Sequence, residues 1–426
     1  MTFASYFRKE TKMSMTILIA PSGFKESLTA DEATACIAAG ILRAMPDATI
    51  LKAPMVDGGE GFTNTLVNLT GGTLHRLSVT GPVGDPVDSF IGFMGGQPVR
   101  TAVIEMAAAA GLRLVPRDRR DPCLTTSFGV GELIGAALDA GAERILLGCG
   151  DSGVNDGGAG MAEALGVRFL DDSGRPLARS GAALRHLASI DMTGIDPRLA
   201  KVRIDAAVNW HNVLLGPKGV ARVFGPQKGA TPAQVEELAA AMEVHAKAIE
   251  RATGIQVGTA PGAGASGGLG AAVLGLLLGR LHPRYEIVMQ YLDLDALIDR
   301  ANLVITAEGS LDGQTPYGKV PSEVARRAKL RGLPVIALAG TIGKGVTLNF
   351  EHGIDAFASI LKRPCSLEEA IENAGKLLTR AAEDAVRLMS VGIRLARPPA
   401  RIVRRMAENG LVCHSGDTGL LRPHSD

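Results

Sequence analysis

The sequence predicts an α/β protein, and three observations carry that reading. Short β-branched apolar runs at residues 16–20 (TILIA), 302–306 (NLVIT) and 334–339 (PVIALA) have the length and continuity of strands buried on both faces of a parallel sheet. The composition agrees: of 426 residues, 46% are hydrophobic, only 4% are aromatic and 53 are glycine, which suits many tight strand-to-helix turns. From Leu74 to Val103 the texture changes to alternating residues broken by Gly and Pro, the pattern of antiparallel strands. A domain boundary is therefore expected between Thr70 and Leu74.

The elements follow in order. Pro21 ends the first strand, and the loop from Ser22 to Ser27 places Lys25 at the strand's C-terminal end, where α/β sheets bind ligands. Thr29 and Glu32 form a capping box for a helix over residues 31–45. A second apolar run, residues 50–55, leads into DGGEG, whose Asp57 and Glu60 could hold Mg2+, accept substrate hydroxyls or act as a base. A helix over residues 62–69 follows. Glu105 ends another strand, and Thr125, Thr126 or Ser127 caps a helix over residues 129–140.

The run ERILL then delivers the chain to GCGDSGVNDGGAG, residues 148–160, the stretch that organises the rest. A strand, a glycine-rich loop and a helix in succession can converge backbone N–H groups on an anion. Asp151, Ser152, Asn155 and Asp156 lie between the glycines. The loop lacks the Lys-Ser/Thr of a P-loop and the spacing of a dinucleotide fingerprint.

Residues 202–208 read as a strand ending in Asn209-Trp210-His211-Asn212, with the only Trp of the chain. Lys218 and Lys228 are candidate phosphate contacts before a capped helix over 231–253. PGAGASGGLG, with Gly264, Gly267 and Gly268, heads a helix to Leu278 and again offers an N-terminus to an anion. After residues 302–306 comes a loop carrying Glu308 and Asp312. A helix over 321–330, the strand 334–339, a last strand over 357–361 and a helix from Ser366 to about residue 389 complete the fold. Residues 1–14 are expected to be a disordered leader and 392–426 a basic, flexible tail.

Net charge of +1 gives no global field for nucleic acid or membrane, and neither is expected as a partner. No run reaches the ~18 apolar residues of a spanning helix. Five dispersed cysteines without a CxxC pair suggest a reducing, cytoplasmic setting.

FKESL with Lys25, DGGEG, AVIEMA around Glu105, TTSFGVGELI, NDGGAG, GPQKGAT with Lys228, PGAGASGGLG, EGSLDGQT and PVIALAG occur in one order. In these stretches, from about residue 15 to 389, the chain resembles the type I glycerate kinases. The resemblance implies transfer of the γ-phosphoryl of ATP, with Mg2+, to a small hydroxy acid, by a monomer or homodimer. It also implies a cleft between two α/β domains. One is Rossmann-like and built from both chain ends, residues 15–72 and 255–391; the other, mixed α/β, is inserted as residues 73–254.

On that resemblance Asp156 is the first choice for the base, with Lys25, Asp57 and Glu308 as further catalytic candidates. Lys25, Glu60, Asp151, Ser152, Asn155, Asn209, Trp210 and His211 are candidates for the acid. Gly157, Gly158, Lys228, Gly264, Gly267 and Gly268 are candidates for the nucleotide phosphates, and Asp57 and Asp312 for the metal. A catalytically silent sugar-acid sensor is the alternative from another class.

Three loops depart from the usual family pattern. Pro21-Ser22-Gly23-Phe24-Lys25 stands for Pro-Asp-Ser-Phe-Lys. Gly150-Asp151-Ser152-Gly153-Val154 stands for Gly-Gly-Ser-Ala-Thr, and Asn209-Trp210-His211-Asn212-Val213 for Asp-Val-Asp-Asn-Pro. The expectation is a pocket that prefers a hydroxy acid other than glycerate.

Overall fold

The apolar runs become strands of two sheets. The computed structural model describes residues 15–24 and 27–396. Its strands are β1 (Thr16–Ile19), β2 (Thr49–Lys52), β3 (Thr73–Thr80), β4 (Pro86–Phe93), β5 (Thr101–Glu105), β6 (Arg144–Gly148) and β7 (Arg168–Leu170). They continue as β8 (Ser189–Asp191), β9 (Arg203–Val208), β10 (Arg280–Pro283), β11 (Leu303–Leu311), β12 (Val335–Ile342) and β13 (Ala356–Ser359).

A five-stranded sheet of order β13-β12-β11-β1-β2 is parallel throughout and joins both ends of the chain. A six-stranded sheet of order β10-β9-β6-β5-β4-β3 is parallel from β10 to β5 and antiparallel from there to β3. The α/β class and the change of texture after residue 72 are thus both present. β7 and β8 form a separate antiparallel pair.

Local rules place several helices where the sequence puts them. Thr29 and Glu32 close a capping box on helix Ala30–Ala44, and Thr231 and Gln234 close one on helix Pro232–Thr253. Gly40 permits a close crossing: a Cβ there would lie 2.2 Å from the carbonyl oxygen of Thr379, in the last long helix, Ala374–Ala396.

Four expectations change. The segment expected to return to the first sheet at residue 255 stays with the second. β10 pairs with β9, and Val257, Leu269, Val273 and Leu276 lie in the core of the six-stranded sheet. Helix Phe62–Thr70 also packs on that sheet, through Phe62 and Leu66 against Val103, Leu146 and Ala207. Apolar continuity reveals that a strand is buried, but not which neighbour it pairs with. The chain therefore crosses between sheets at residues 53–61 and 284–302.

β11 continues through Glu308 and Gly309 to Leu311, because β12 extends beside it and Glu308, Ser310 and Leu311 pair with Ala339, Thr341 and Ile342. Glu308 is thus a strand residue, not a loop residue. Ser366 caps only a short helix, Leu367–Glu372, and the long helix that follows includes residues 392–396 of the expected tail. The leader, residues 1–14, Lys25 and residues 397–426 lie outside the described residues.

Asp156 is 2% exposed and joins two helix N-termini. Its Oδ2 accepts from the N–H (2.7 Å) and Oγ–H (2.8 Å) of Ser127 and from the N–H of Gly160 (3.2 Å); its Oδ1 accepts from the N–H of Gly158 (3.1 Å). Ser127 stands at the N-cap of helix Phe128–Asp139, but its hydroxyl serves Asp156 instead of that helix, while its oxygen accepts from Met161 N–H at 3.0 Å. Burial raises the Asp156 carboxyl above its ordinary range, and the four donors oppose that rise. Asp156→Ala, which strips an acceptor from four buried donors, is expected to cost roughly 3 kcal/mol or more. Urea unfolding measures it, and a loss below about 1 kcal/mol would show that the joint is not structural.

Candidate active site

The crossing loop 57–61 lies over the C-terminal ends of two strands of the six-stranded sheet. Gly58 has φ 86°, and a Cβ on it would come within 3.0 Å of Cys149 N and 3.2 Å of Ala207 O, so only glycine lets the loop approach so closely. Asp57 accepts from Gly59 N–H at 3.3 Å and from Arg284 at 3.0 Å. Glu60 pairs with Arg113, and its N–H donates to Asp151 Oδ2 at 2.9 Å.

Asp151 holds φ 50°, one of four non-glycine residues with positive φ among the described residues. Leu112 N–H, donating to Asp151 O at 2.9 Å, helps fix this conformation. A non-glycine residue there carries strain of order 1 kcal/mol, and such outliers cluster at functional sites.

Glu105, at the end of β5, is 4% exposed and accepts from Thr63 N–H at 2.9 Å. Helix Phe62–Thr70 starts at Gly61, which has no side chain to cap it, so Glu105 supplies the acceptor from another strand. Burial raises the Glu105 carboxyl; backbone donors Thr63 and Gly61 oppose the rise, and the nearby charges of Glu60 and Asp151 add to it. Arg284 stacks 4.7 Å over the ring of Tyr285. Burial pushes the Tyr285 phenol up, and both Asp57 and Glu308 add to that shift. Glu308 of the five-stranded sheet and Asp57 of the crossing loop therefore act on one phenol.

Asp57, Glu60, Asp151, Glu105, Arg113, Arg284 and Tyr285 thus make a polar cluster, with Glu308 within its electrostatic reach. Opposite charges already in contact can be exchanged for a carboxylate or phosphate ligand.

Other predicted residues are placed differently. Asp156 is turned into the fold with both oxygens occupied, so it is not exposed as a base. Lys228 is 2% exposed and donates to Ser152 Oγ (2.9 Å) and Val154 O (2.6 Å), facing the protein rather than a phosphate. Asn155 is fully buried, and neither of its amide atoms has a hydrogen-bond partner.

The glycines of the two rich loops bring the loops against each other. A Cβ on Gly267 would lie 2.0 Å from Val154 O, and one on Gly158 2.6 Å from the Cβ of Ala272. The N–H groups of Gly157, Gly158, Gly264 and Gly268 donate to Gly267 O, Asp156 Oδ1, Asn212 O and Gly264 O. The Gly157 bond joins the two loops, and all four donors are satisfied within the protein instead of standing open to an anion.

Asn209, Trp210 and His211 form a turn just after β9, where Asn209 Oδ1 accepts from His211 N–H at 3.2 Å and Trp210 is 39% exposed. Asp312 begins the loop after β11, bonded to Gln314 N–H (2.8 Å) and Lys319 (3.4 Å). Among the described residues no group of three or more His, Cys, Asp or Glu is disposed to hold a metal ion, and no helix is long and apolar enough to cross a membrane.

Arg113, Arg284 and Tyr285 were not legible as site residues. Arg284 and Tyr285 follow β10, a four-residue strand, RLHP, with no apolar run to announce it. Glu105 was visible only as a carboxylate at a strand end.

The model of the Glycerate kinase family matches residues 17–390. The chain is 47% identical over 383 residues to the glycerate kinase of Bacillus subtilis (strain 168), covering 90% of this chain and 99% of that protein. It is 43% identical over 382 residues to the glycerate 2-kinase of Escherichia coli (strain K12), covering 90% of this chain and all of that one. A crystal structure from Salmonella typhimurium LT2, described provisionally as a glycerate kinase 2, superposes with a TM-score of 0.79 at 44% identity over 89% of this chain and 100% of that chain. With motif order, sheet topology and these matches in agreement, the chain belongs to the glycerate kinase family and is a kinase.

Proposed function

We propose that the protein transfers the γ-phosphoryl of ATP to a hydroxyl of glycerate or a closely related small hydroxy acid, at the edge formed by loop 57–61, the end of β6 and residues 284–285. The observation that carries this reading is the pair of ion pairs, Glu60–Arg113 and Asp57–Arg284, at the junction of the two sheets. Phosphoryl transfer needs charge neutralisation and in-line positioning more than covalent help. Arg113 and Arg284, released from their carboxylates, would meet the negative charge of the acid and of the phosphates. Lys25, beyond the described residues, is proposed for the acid's carboxylate or the moving phosphoryl.

Mg2+ is proposed to arrive with the nucleotide as part of the co-substrate. Mg2+ usually takes one or two protein carboxylates and fills its other positions with phosphate oxygens and water. Asp57 and Glu308 are the carboxylates proposed to face it, with Asp312 further along the same strand end. Asp151 would fix the crossing loop through Glu60 N–H, and the turn Asn209-Trp210-His211 would shape the substrate's far end. No specific observation favours the silent sensor.

The primary experiment is ADP release with a panel of three- to five-carbon hydroxy acids, with and without chelator. ADP release that depends on an acid and falls to background on chelation is expected; release unaffected by exhaustive chelation would remove the metal from the reading. Arg284→Ala is expected to raise KM for the acid or ATP roughly 10-fold or more, since charge-assisted pairs are worth about 1.5–3 kcal/mol. Unchanged constants would take Arg284 out of the site. Trp210→Val and His211→Asp should shift the kcat/KM ratio between glycerate and the larger acids by about 10-fold, the scale of one methylene-sized contact. A fixed ranking in both variants would show that this turn does not select the substrate.

A further inference from the structure

Asp156, the apparent base, is committed to four donors, and Asp57 and Glu60 are each paired with an arginine. On the loop that leads to Asp156, Ser152 offers a hydroxyl in contact with a buried amine, that of Lys228.

Lys228 ends a short 3-10 turn, Pro226–Lys228, and Gly229 after it adopts φ 102°. A Cβ on Gly229 would lie 2.2 Å from Arg120 O, so the turn is pressed against residue 120 and leads the lysine inward. Its Nζ reaches only two acceptors, Ser152 Oγ and Val154 O. Ser152 is 9% exposed and follows Asp151, whose carboxylate reaches the crossing loop. Ser152 therefore meets a buried amine and is the chain neighbour of the residue that reaches the polar cluster.

We propose that Ser152 accepts the proton of the substrate hydroxyl while passing its own proton to Lys228. This rests on the kinase reading above. Ser152 is the catalytic residue; Lys228 acts through it and positions it. In the reactive state the amine of Lys228 is neutral, and the 2.9 Å contact runs from Ser152 Oγ–H to the Nζ lone pair. The substrate oxygen forms its bond to the γ-phosphorus as its proton moves to Ser152 Oγ and the Ser152 proton moves to Nζ. The bond from phosphorus to the β–γ bridging oxygen breaks, and its electron pair leaves on ADP. Val154 O accepts an N–H of Lys228 in either protonation state and keeps the lone pair aimed at Ser152.

The environment supports a neutral amine. Burial lowers the Lys228 ammonium to about 7, and Asp156 is the charge that opposes the shift. The other charged groups nearby are Arg120, against Gly229, and Asp121, which already accepts from Gln234 Nε2 (3.0 Å) and Cys123 N–H (2.9 Å). A lysine with a near-neutral proton affinity beside a serine hydroxyl is a recognised way to activate that hydroxyl.

The test combines a pH profile with a direct titration. ADP release is measured from pH 5.5 to 9 for the parent protein, Ser152→Ala and Lys228→Arg, and the 15N resonances of the lysine side chains are followed over the same range. In the parent, kcat should fall about 10-fold per pH unit below about 7, as the amine becomes protonated, and one lysine resonance, absent from Lys228→Arg, should titrate there. Ser152→Ala should lower kcat at pH 8 roughly 10²-fold or more, with KM for ATP changed less than about 3-fold. Lys228→Arg, which keeps the charge and the donors but cannot be neutral, should be equally slow. Recovery of parent kcat by Lys228→Arg, or a lysine spectrum with no titration below pH 9, would overturn the relay while ADP release by the parent continued. Absence of ADP release with every acid would overturn the kinase reading itself, and the relay with it.

Discussion

A negative charge placed beneath the site has to be met by donors, and the architecture around Asp156 follows from that demand. Its four donors come from the starts of helices Phe128–Asp139 and Ala159–Ala164. Two helix N-termini, each with unsatisfied N–H groups, converge on one carboxylate. Their convergence fixes the loop from Cys149 to Gly158, and with it the positions of Asp151 and Ser152. Lys228 bonds to the same loop through Ser152 Oγ and Val154 O, and Asp156 is the charge that favours its ammonium against burial.

The two sheets meet where the chain crosses between them. The first crossing carries Asp57 and Glu60, the second Arg284 and Tyr285, and the ion pair Asp57–Arg284 ties one crossing to the other. Glu308 reaches the same neighbourhood because β11 outgrows its apolar run. The polar cluster is thus made from segments that belong wholly to neither sheet.

Much of the fold was legible from residues 16–20, 302–306 and 334–339, because strands buried on both faces must be continuously apolar, and from the Thr29 and Thr231 boxes, because capping is a local interaction. The motifs also located the cluster: DGGEG and Asp151 do lie together. What escaped was set by tertiary placement. A glycine-rich loop has the same sequence whether its N–H groups face an anion or another loop, and the close approach at Gly267, where an added Cβ would lie 2.0 Å from Val154 O, exists only in three dimensions. Asp156 and Lys228 look like surface functional groups in one dimension because burial is not written in a residue's own type. RLHP forms β10 because β9 offers it a free edge, a tertiary cause that overrides weak local propensity.

The pairing of β1 with β11 has a consequence for synthesis on the ribosome. Thr306 donates its hydroxyl to Ala20 O across a sequence separation of 286 residues. Until that distant strand emerges, β1 and β2 have only each other, too little for a stable sheet. The six-stranded unit, whose strands all lie between residues 73 and 283, is complete just before β11 (Leu303–Leu311) emerges. Domains generally fold as units as they emerge. The nascent chain therefore carries an unfinished, strongly apolar first segment through most of its elongation, and its exposure to chaperones and proteases is concentrated in that interval.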